Sequence, residues 1–226
     1  MPIIFSAITP HSPILIPQIG KSNQARLKST IGSFVKLKKI LEEKKPQAYF
    51  LENVRGLSSH MSGNQRTIQI IEDRLRDLGY SFSLFHVRAS DFNVPQHRPR
   101  IFMIGFKDPE VADRFQPPEK QELTNTLKTI LGPEVTRDIA YTLRVGGRGS
   151  GLADRRNWDT YQVGDKVVRI EKEEGLKIQG FPDWFTFPAE VPNSQAMKQL
   201  GNSVAVPAVE AYARAIVKAL GGDKKK

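Results

Sequence analysis

The stretch "AYFLENVRGL", residues 48–57, carries the apolar run Ala48 to Leu51 straight into Glu52 and Asn53. An acid and an amide ending a buried strand are costly unless they are used. A carboxyl group held there can serve acid–base chemistry, or it can satisfy a turn. Further on, "PQHRPR" sets Arg98 and Arg100 two apart, just before an apolar run. Side chains two apart in an extended segment share a face. Two arginines so placed repel unless something anionic or carbonyl-bearing lies between them. "LGNSV", residues 200–204, reads as a tight polar turn or as a helix start with a polar cap. "YTLRVGGRGSGLADRRNWDTY" combines Arg144, Arg148, Arg155 and Arg156 with Gly146, Gly147, Gly149 and Gly151. Guanidinium groups and backbone amides freed by glycine can approach phosphates closely. Trp158 and Tyr161 in the same stretch either pack against nucleic acid or form a small core, and the sequence leaves both open.

These residues need elements to place them. From Gly32 the pattern is helical, with Phe34, Leu37, Ile40 and Leu41 on one face and Pro46 as the stop. "AYFLENV" follows as a buried strand, parallel because a helix precedes it. "NQRTIQIIEDRLRDLGY" is amphipathic, with Ile68, Ile71, Leu75 and Leu78 on one face and Gly79 at the C-cap. "SFSLFHVR" and "RIFMIGF" give two more strands. Three strands are few for an open α/β sheet. The polar, proline-bearing "KDPEVADRFQPPEKQE" marks a boundary. "LTNTLKTILG" suggests a short helix, and "EKEEGLKIQGFPDWFTFP" a helix ending in a Gly-Phe-Pro turn. Val209, Tyr212, Ile216 and Leu220 form the stripe of a last helix. Residues 1–28 show no clean period and read as an irregular arm.

The 226 residues suffice to bury a sizeable core. A hydrophobic content of 39% and a charged content of 26% are those of a soluble globular chain. The apolar runs are too short to span a bilayer, and a cytoplasmic location is the default. The net charge of +10 fits either a soluble protein with lysine-rich ends or a polyanion partner. There is no Cys, which excludes disulfides, thiolate metal sites and any cysteine nucleophile from this chain. No metal site is expected.

"FLENVRGL", "DFNVPQHRPRIFMIGF", "IQGFPDWF" and "QLGNSVAVPAV", in that order, resemble the DNA cytosine-5 methyltransferase family from about Gly32 to Leu220. The resemblance implies an incomplete Rossmann-like α/β sheet with a small, irregular, mostly β target-recognition domain. Residues 1–28 would be the arm, 29–108 the rear part of the catalytic domain, 109–190 the target-recognition region, 191–222 a segment returning to the catalytic domain, and 223–226 a tail. It implies methyl transfer from S-adenosylmethionine to carbon 5 of a cytosine swung out of duplex DNA, in a restriction-modification setting. Glu52 would then face ring nitrogen 3, Arg100 would hold the carbonyl oxygen of the base, and Arg98 would support that catalytic pocket or meet the backbone. Asn202, Ser203 and Val204 would help hold the cofactor. Asn53, Gln96, Arg144, Arg148, Arg155 and Arg156 would meet DNA.

Two expected family parts have no counterpart. Neither a Phe-x-Gly-x-Gly cofactor loop nor a Pro-Cys-Gln nucleophile loop precedes the Glu-Asn-Val strand. "TPHSP" at residues 9–13 puts His11 where a thiol is wanted, and imidazole cannot replace a thiolate in this addition. The expectation is therefore half of a split enzyme, inactive alone, whose second polypeptide brings the cofactor loop and the cysteine and docks on an open sheet edge. The alternatives are a truncated or frameshifted relic and a stand-alone DNA-binding module without catalysis. An exocyclic-amine methyltransferase would need an acidic or amide-proline-aromatic loop, which is absent.

Overall fold

Ala48–Val54 (β2) is the strand around which the site is built, and six of its seven residues are buried. The computed structural model describes residues 3–7, 23–146 and 149–222, with side chains from Phe34 onward. In chain order the elements are β1 (Ile3–Ala7), α1 (Asn23–Lys44), β2, β3 (Met61–Ser62), β4 (Gln65–Arg66), α2 (Thr67–Asp77), β5 (Ser83–Arg88), β6 (Pro99–Phe106), α3 (Pro109–Arg114) and α4 (Leu127–Leu131). They continue with β7 (Thr160–Val163), β8 (Lys166–Arg169), α5 (Lys172–Gln179), α6 (Asn193–Asn202) and α7 (Val206–Ala219). The chain divides into two compact units. The first is Met1–Val87, Arg100–Pro117 and Ala213–Lys226, and the second is Arg88–Pro99 and Pro118–Tyr212.

The first unit holds a four-stranded sheet of order β1-β2-β6-β5. β1 runs parallel to β2, as a β-α-β crossover requires, and β6 runs antiparallel to β2. The parallel pairing expected of β2 therefore holds on one side only. β1 is a fourth strand beyond the three expected, and α1 already begins at Asn23. β1 and the start of α1 lie within the stretch read as an irregular arm, whose short apolar run is framed by prolines and gives a weak period. The rest of that stretch, including "TPHSP", lies outside the described residues.

Alternation along β2 sends Tyr49 and Leu51 to one face, where they join Ile101 and Met103 of β6 and Phe34, Leu37 and Leu41 of α1 in one core. Ile68, Ile71 and Leu75 of α2 complete it, with Leu78 packed at its margin. Ile40, expected on the buried face of α1, is 45% exposed. Phe34, Leu37 and Leu41 already fill the i, i+3, i+7 stripe, and Ile40 sits at its edge.

The second unit has its own core of Leu127, Val135, Leu143, Trp158, Tyr161, Ile170, Leu176, Ile178, Met197 and Leu200. Its sheet is the two-stranded β7–β8 hairpin, and the rest is short helices and loops. α5 has a complete capping box between Glu171 and Glu174 and ends at Gly180, whose φ of +75° is open to glycine at little cost. In α7 the buried stripe is Ala208, Tyr212, Ile216 and Ala219, and Val209 and Leu220 are half-buried.

Candidate functional site

Register places the acid. On β2, Glu52 pairs with Phe102 of β6, and Val54 pairs with Arg100. Glu52 and Arg100 are therefore diagonal neighbours on one face, within reach of long side chains. Arg100 Nε donates to Glu52 Oε1 at 2.6 Å, with the two side chains 16% and 7% exposed. Such a short charge-assisted bond is among the stronger pairings available to a carboxylate. Phe50 and Phe102 meet edge-to-face at 4.9 Å on the same face. Burial pulls the Arg100 guanidinium below its ordinary pKa, and the Glu52 carboxylate opposes that shift. The parallel register also sets Ala7, the last residue of β1, beside Glu52.

Asn53 alternates to the opposite face of β2 and is 3% exposed, and its Oδ1 accepts from the Val54 amide at 2.8 Å. The sequence expectation for Asn53 is a DNA contact; in this structure the side chain is buried. Gln96, given the same expectation, is fully buried in the second unit. Its Nε2 donates to the Ile178 carbonyl at 3.1 Å and to Gln179 Oε1 at 2.6 Å, and its Oε1 accepts from the Leu143 amide at 3.2 Å. It braces three segments, as a buried amide must when water cannot serve it.

Arg98 is 2% exposed. Its Nη1 donates to the Leu143 carbonyl at 3.1 Å, and its Nη2 donates to the carbonyls of Gly201, at 3.2 Å, and Ser203. Each arginine of "HRPR" has its own partners, backbone carbonyls for Arg98 and the Glu52 carboxylate for Arg100, rather than one group shared between them.

"GNSV" is the end of α6 and the link to α7, not a helix start. Asn202 is the last residue of α6 and Ser203 its extended C-cap. The Ser203 hydroxyl donates inward to the Leu200 carbonyl at 2.8 Å. Asn202 and Val204 are half-exposed. Against an S-adenosylmethionine molecule the turn offers the Asn202 amide for hydrogen bonds and Val204 as apolar surface, a partial fit that leaves most of such a ligand to other residues.

In the glycine/arginine stretch Arg144 and Arg155 are exposed, and Arg148 lies outside the described residues. Arg156 is 80% exposed but forks onto Asp154, with Nη2 to Oδ2 at 2.9 Å and Nε to Oδ1 at 3.2 Å. This pair pulls the Asp154 carboxyl below its usual range. Trp158 and Tyr161 are both 1% exposed, which decides for the core. Trp158 Nε1 donates to the Gly146 carbonyl at 3.0 Å, and buried Asp159 accepts from the Gly149 amide at 3.1 Å, so both tether the stretch from behind. Asp159 was not foreseen, because nothing in "NWDTY" distinguishes a buried aspartate from a surface one.

The family model for C-5 cytosine-specific DNA methylases matches residues 17–147 and 142–218. The chain belongs to that family. It is 32% identical over 213 residues to Type II methyltransferase M.HaeII of Haemophilus aegyptius, covering 83% of this chain and 66% of that protein. It is 34% identical over 220 residues to Type II methyltransferase M.NlaX of Neisseria lactamica, covering 83% and 68%. About a third of each relative's length therefore has no counterpart in this cytosine-5 methylase chain. The fold resembles the S. pombe Dnmt2 methyltransferase, with a TM-score of 0.68 at 14% identity, over 97% of this chain and 78% of that one. The mixed sheet of the first unit is thus an incomplete part of that methyltransferase fold. Enzymes of this family take their methyl group from S-adenosylmethionine. Among the described residues no helix is long and apolar enough to cross a membrane, and no cluster of metal-ligating side chains occurs.

Proposed function

We propose that this chain is the base-recognising part of a DNA cytosine-5 methyltransferase of the restriction-modification kind. The observation that carries this reading is the buried Glu52–Arg100 pair at the end of β2. Glu52, carrying a proton when the base is bound, donates it or a hydrogen bond to ring nitrogen 3 of a cytosine taken out of the duplex, and so stabilises the negative charge developing on the ring as carbon 6 is attacked. Arg100 holds the carbonyl oxygen of the base and keeps Glu52 oriented. Exposed Arg144 and Arg155, with Arg148, meet the phosphates of the duplex. Asn202 and Val204 contribute to the cofactor site, where S-adenosylmethionine supplies the methyl group.

The attacking thiolate has no source among these 226 residues, which contain no cysteine. We propose that it comes with the cofactor loop on a second polypeptide, and that this chain alone transfers no methyl group. The absence of cysteine equally favours a second reading, a DNA-binding relative without catalysis. The two separate on Glu52→Gln. In a mixture with a polypeptide carrying the Pro-Cys-Gln loop, this change lowers kcat by roughly 10²–10⁴-fold while DNA affinity stays. An unchanged rate sinks the role of Glu52, and a mixture with no turnover at all supports the non-catalytic reading.

A further inference from the structure

Arg98 sits where three segments of the second unit meet. The backbone of Pro95–Arg98 is laced to residues 140–143: the Ala140 amide donates to the Pro95 carbonyl at 2.8 Å, and the His97 amide to the Ala140 carbonyl at 2.7 Å. The Thr142 hydroxyl donates to the His97 carbonyl. From that lacing the Arg98 guanidinium reaches the Leu143 carbonyl on one side and the Gly201 and Ser203 carbonyls on the other. The glycine/arginine stretch begins at the next residue, Arg144.

The same joint is closed from the other side by glycine. A Cβ on Gly201 would stand 2.5 Å from the Arg144 carbonyl carbon and 2.9 Å from the Val145 nitrogen, both backbone atoms that cannot swing away. The chain at Arg144–Val145 therefore lies directly on the α6 terminus, and its direction of departure is fixed by Arg98 and Gly201 together. A guanidinium suits this role because its planar fork serves several carbonyls at once, which the point charge of lysine cannot do in the same geometry.

We propose that Arg98 is a positioning residue for DNA binding: it fastens the outgoing root of the glycine/arginine stretch to the Gly201–Ser203 turn and so aims Arg144 and its neighbours at the duplex. This rests on the reading that those arginines meet phosphates. Arg98 touches neither base nor phosphate in this role and acts through the backbone of residues 143–145.

The test is a double-mutant cycle on the full chain, read by fluorescence anisotropy with a short labelled duplex over a salt series. Arg144→Gln with Arg155→Gln flattens the slope of log affinity against log salt by about 1.8, at about 0.9 per lost phosphate contact. Arg98→Lys in the wild-type background weakens binding about tenfold and flattens the slope, whereas with both arginines already removed it changes affinity less than about twofold. A merely structural residue would cost the same factor in both backgrounds, and that result overturns the proposal. Gly201→Ala attacks the joint without touching charge and gives the same non-additivity. Without DNA, hydrogen exchange at the buried Leu143 amide, which donates to Gln96 Oε1, quickens in both variants; unchanged exchange overturns the proposal. A wild-type chain that binds no duplex overturns the DNA-binding reading and this inference with it. A wild-type chain with a steep salt slope beside an Arg98→Lys chain with the same slope overturns the inference alone.

Discussion

Arg100 and Arg98 stand two residues apart and are held by different kinds of structure. In the first unit the regular β2–β6 ladder brings Arg100 to Glu52 by register alone, and charge meets charge. In the second unit Arg98 is held by carbonyls from segments 45, 103 and 105 residues distant in sequence. A ladder needs few specifications to place a reactive pair, because one register fixes every residue along it. A loop-built region needs a junction, and a buried guanidinium with many donors supplies one. On the proposed function, the ladder-built unit would place the chemistry and the loop-built unit the positioning.

The sharpest way to break this contrast is to remove Arg100. Arg100→Ala takes the guanidinium from buried Glu52 and is expected to cost about 3–5 kcal/mol in urea unfolding. Replacing both Glu52 and Arg100 by leucine should cost much less than the single change, because no uncompensated charge remains. Equal costs would mean that the pair is not coupled.

The next effect tests what both units share. Burial raises the phenols of Tyr49 and Tyr80 in the first unit and of Tyr161 in the second, and Tyr212 is pushed up to about 12. A phenol whose folded pKa exceeds its unfolded value near 10 stabilises the fold fully below pH 10, and that contribution is lost as pH rises toward the folded pKa. The thermal midpoint should therefore fall as pH rises from 10 to about 12, and Tyr212→Phe should make the fall shallower. A flat midpoint over that range would contradict the burial of these rings.

The smallest effect concerns Arg156. It is exposed and already forked onto Asp154. Arg155→Gln should weaken duplex binding more than Arg156→Gln, and Asp154→Ala should leave the unfolding midpoint within error while strengthening binding slightly. Anisotropy titrations at low salt would show this order, and a reversed order would place Arg156 rather than Arg155 on the phosphates.

Much of the first unit was legible. Period-2 and period-3.6 patterns place β2, α2, β5 and β6, and the proposed site acid, Glu52, stands out because an acid ending so apolar a strand is costly unless it is used. β1 was not legible, because Ile3–Ala7 is too short for a period and its partner lies 45 residues on. Arg98 and Arg100 were recognisable as a pair needing partners, but not which partners, since carbonyls carry no sequence signature. The burial of Asn53 and Gln96 was not legible, because polar side chains brace interiors and face ligands alike. Trp158 and Tyr161 became decidable only once their burial was known.

On the proposed function, this chain supplies the acid and arginine of a methyl-transfer site, and its 226 residues, which include no cysteine, do not supply the nucleophile. The direct measurement is incorporation of labelled methyl from S-adenosylmethionine into duplex DNA. It would compare the purified chain, a polypeptide carrying the cofactor and Pro-Cys-Gln loops from a matched relative, and their mixture. Neither polypeptide alone is expected to incorporate label, and the mixture is expected to turn over. Turnover by the purified chain alone would contradict this reading.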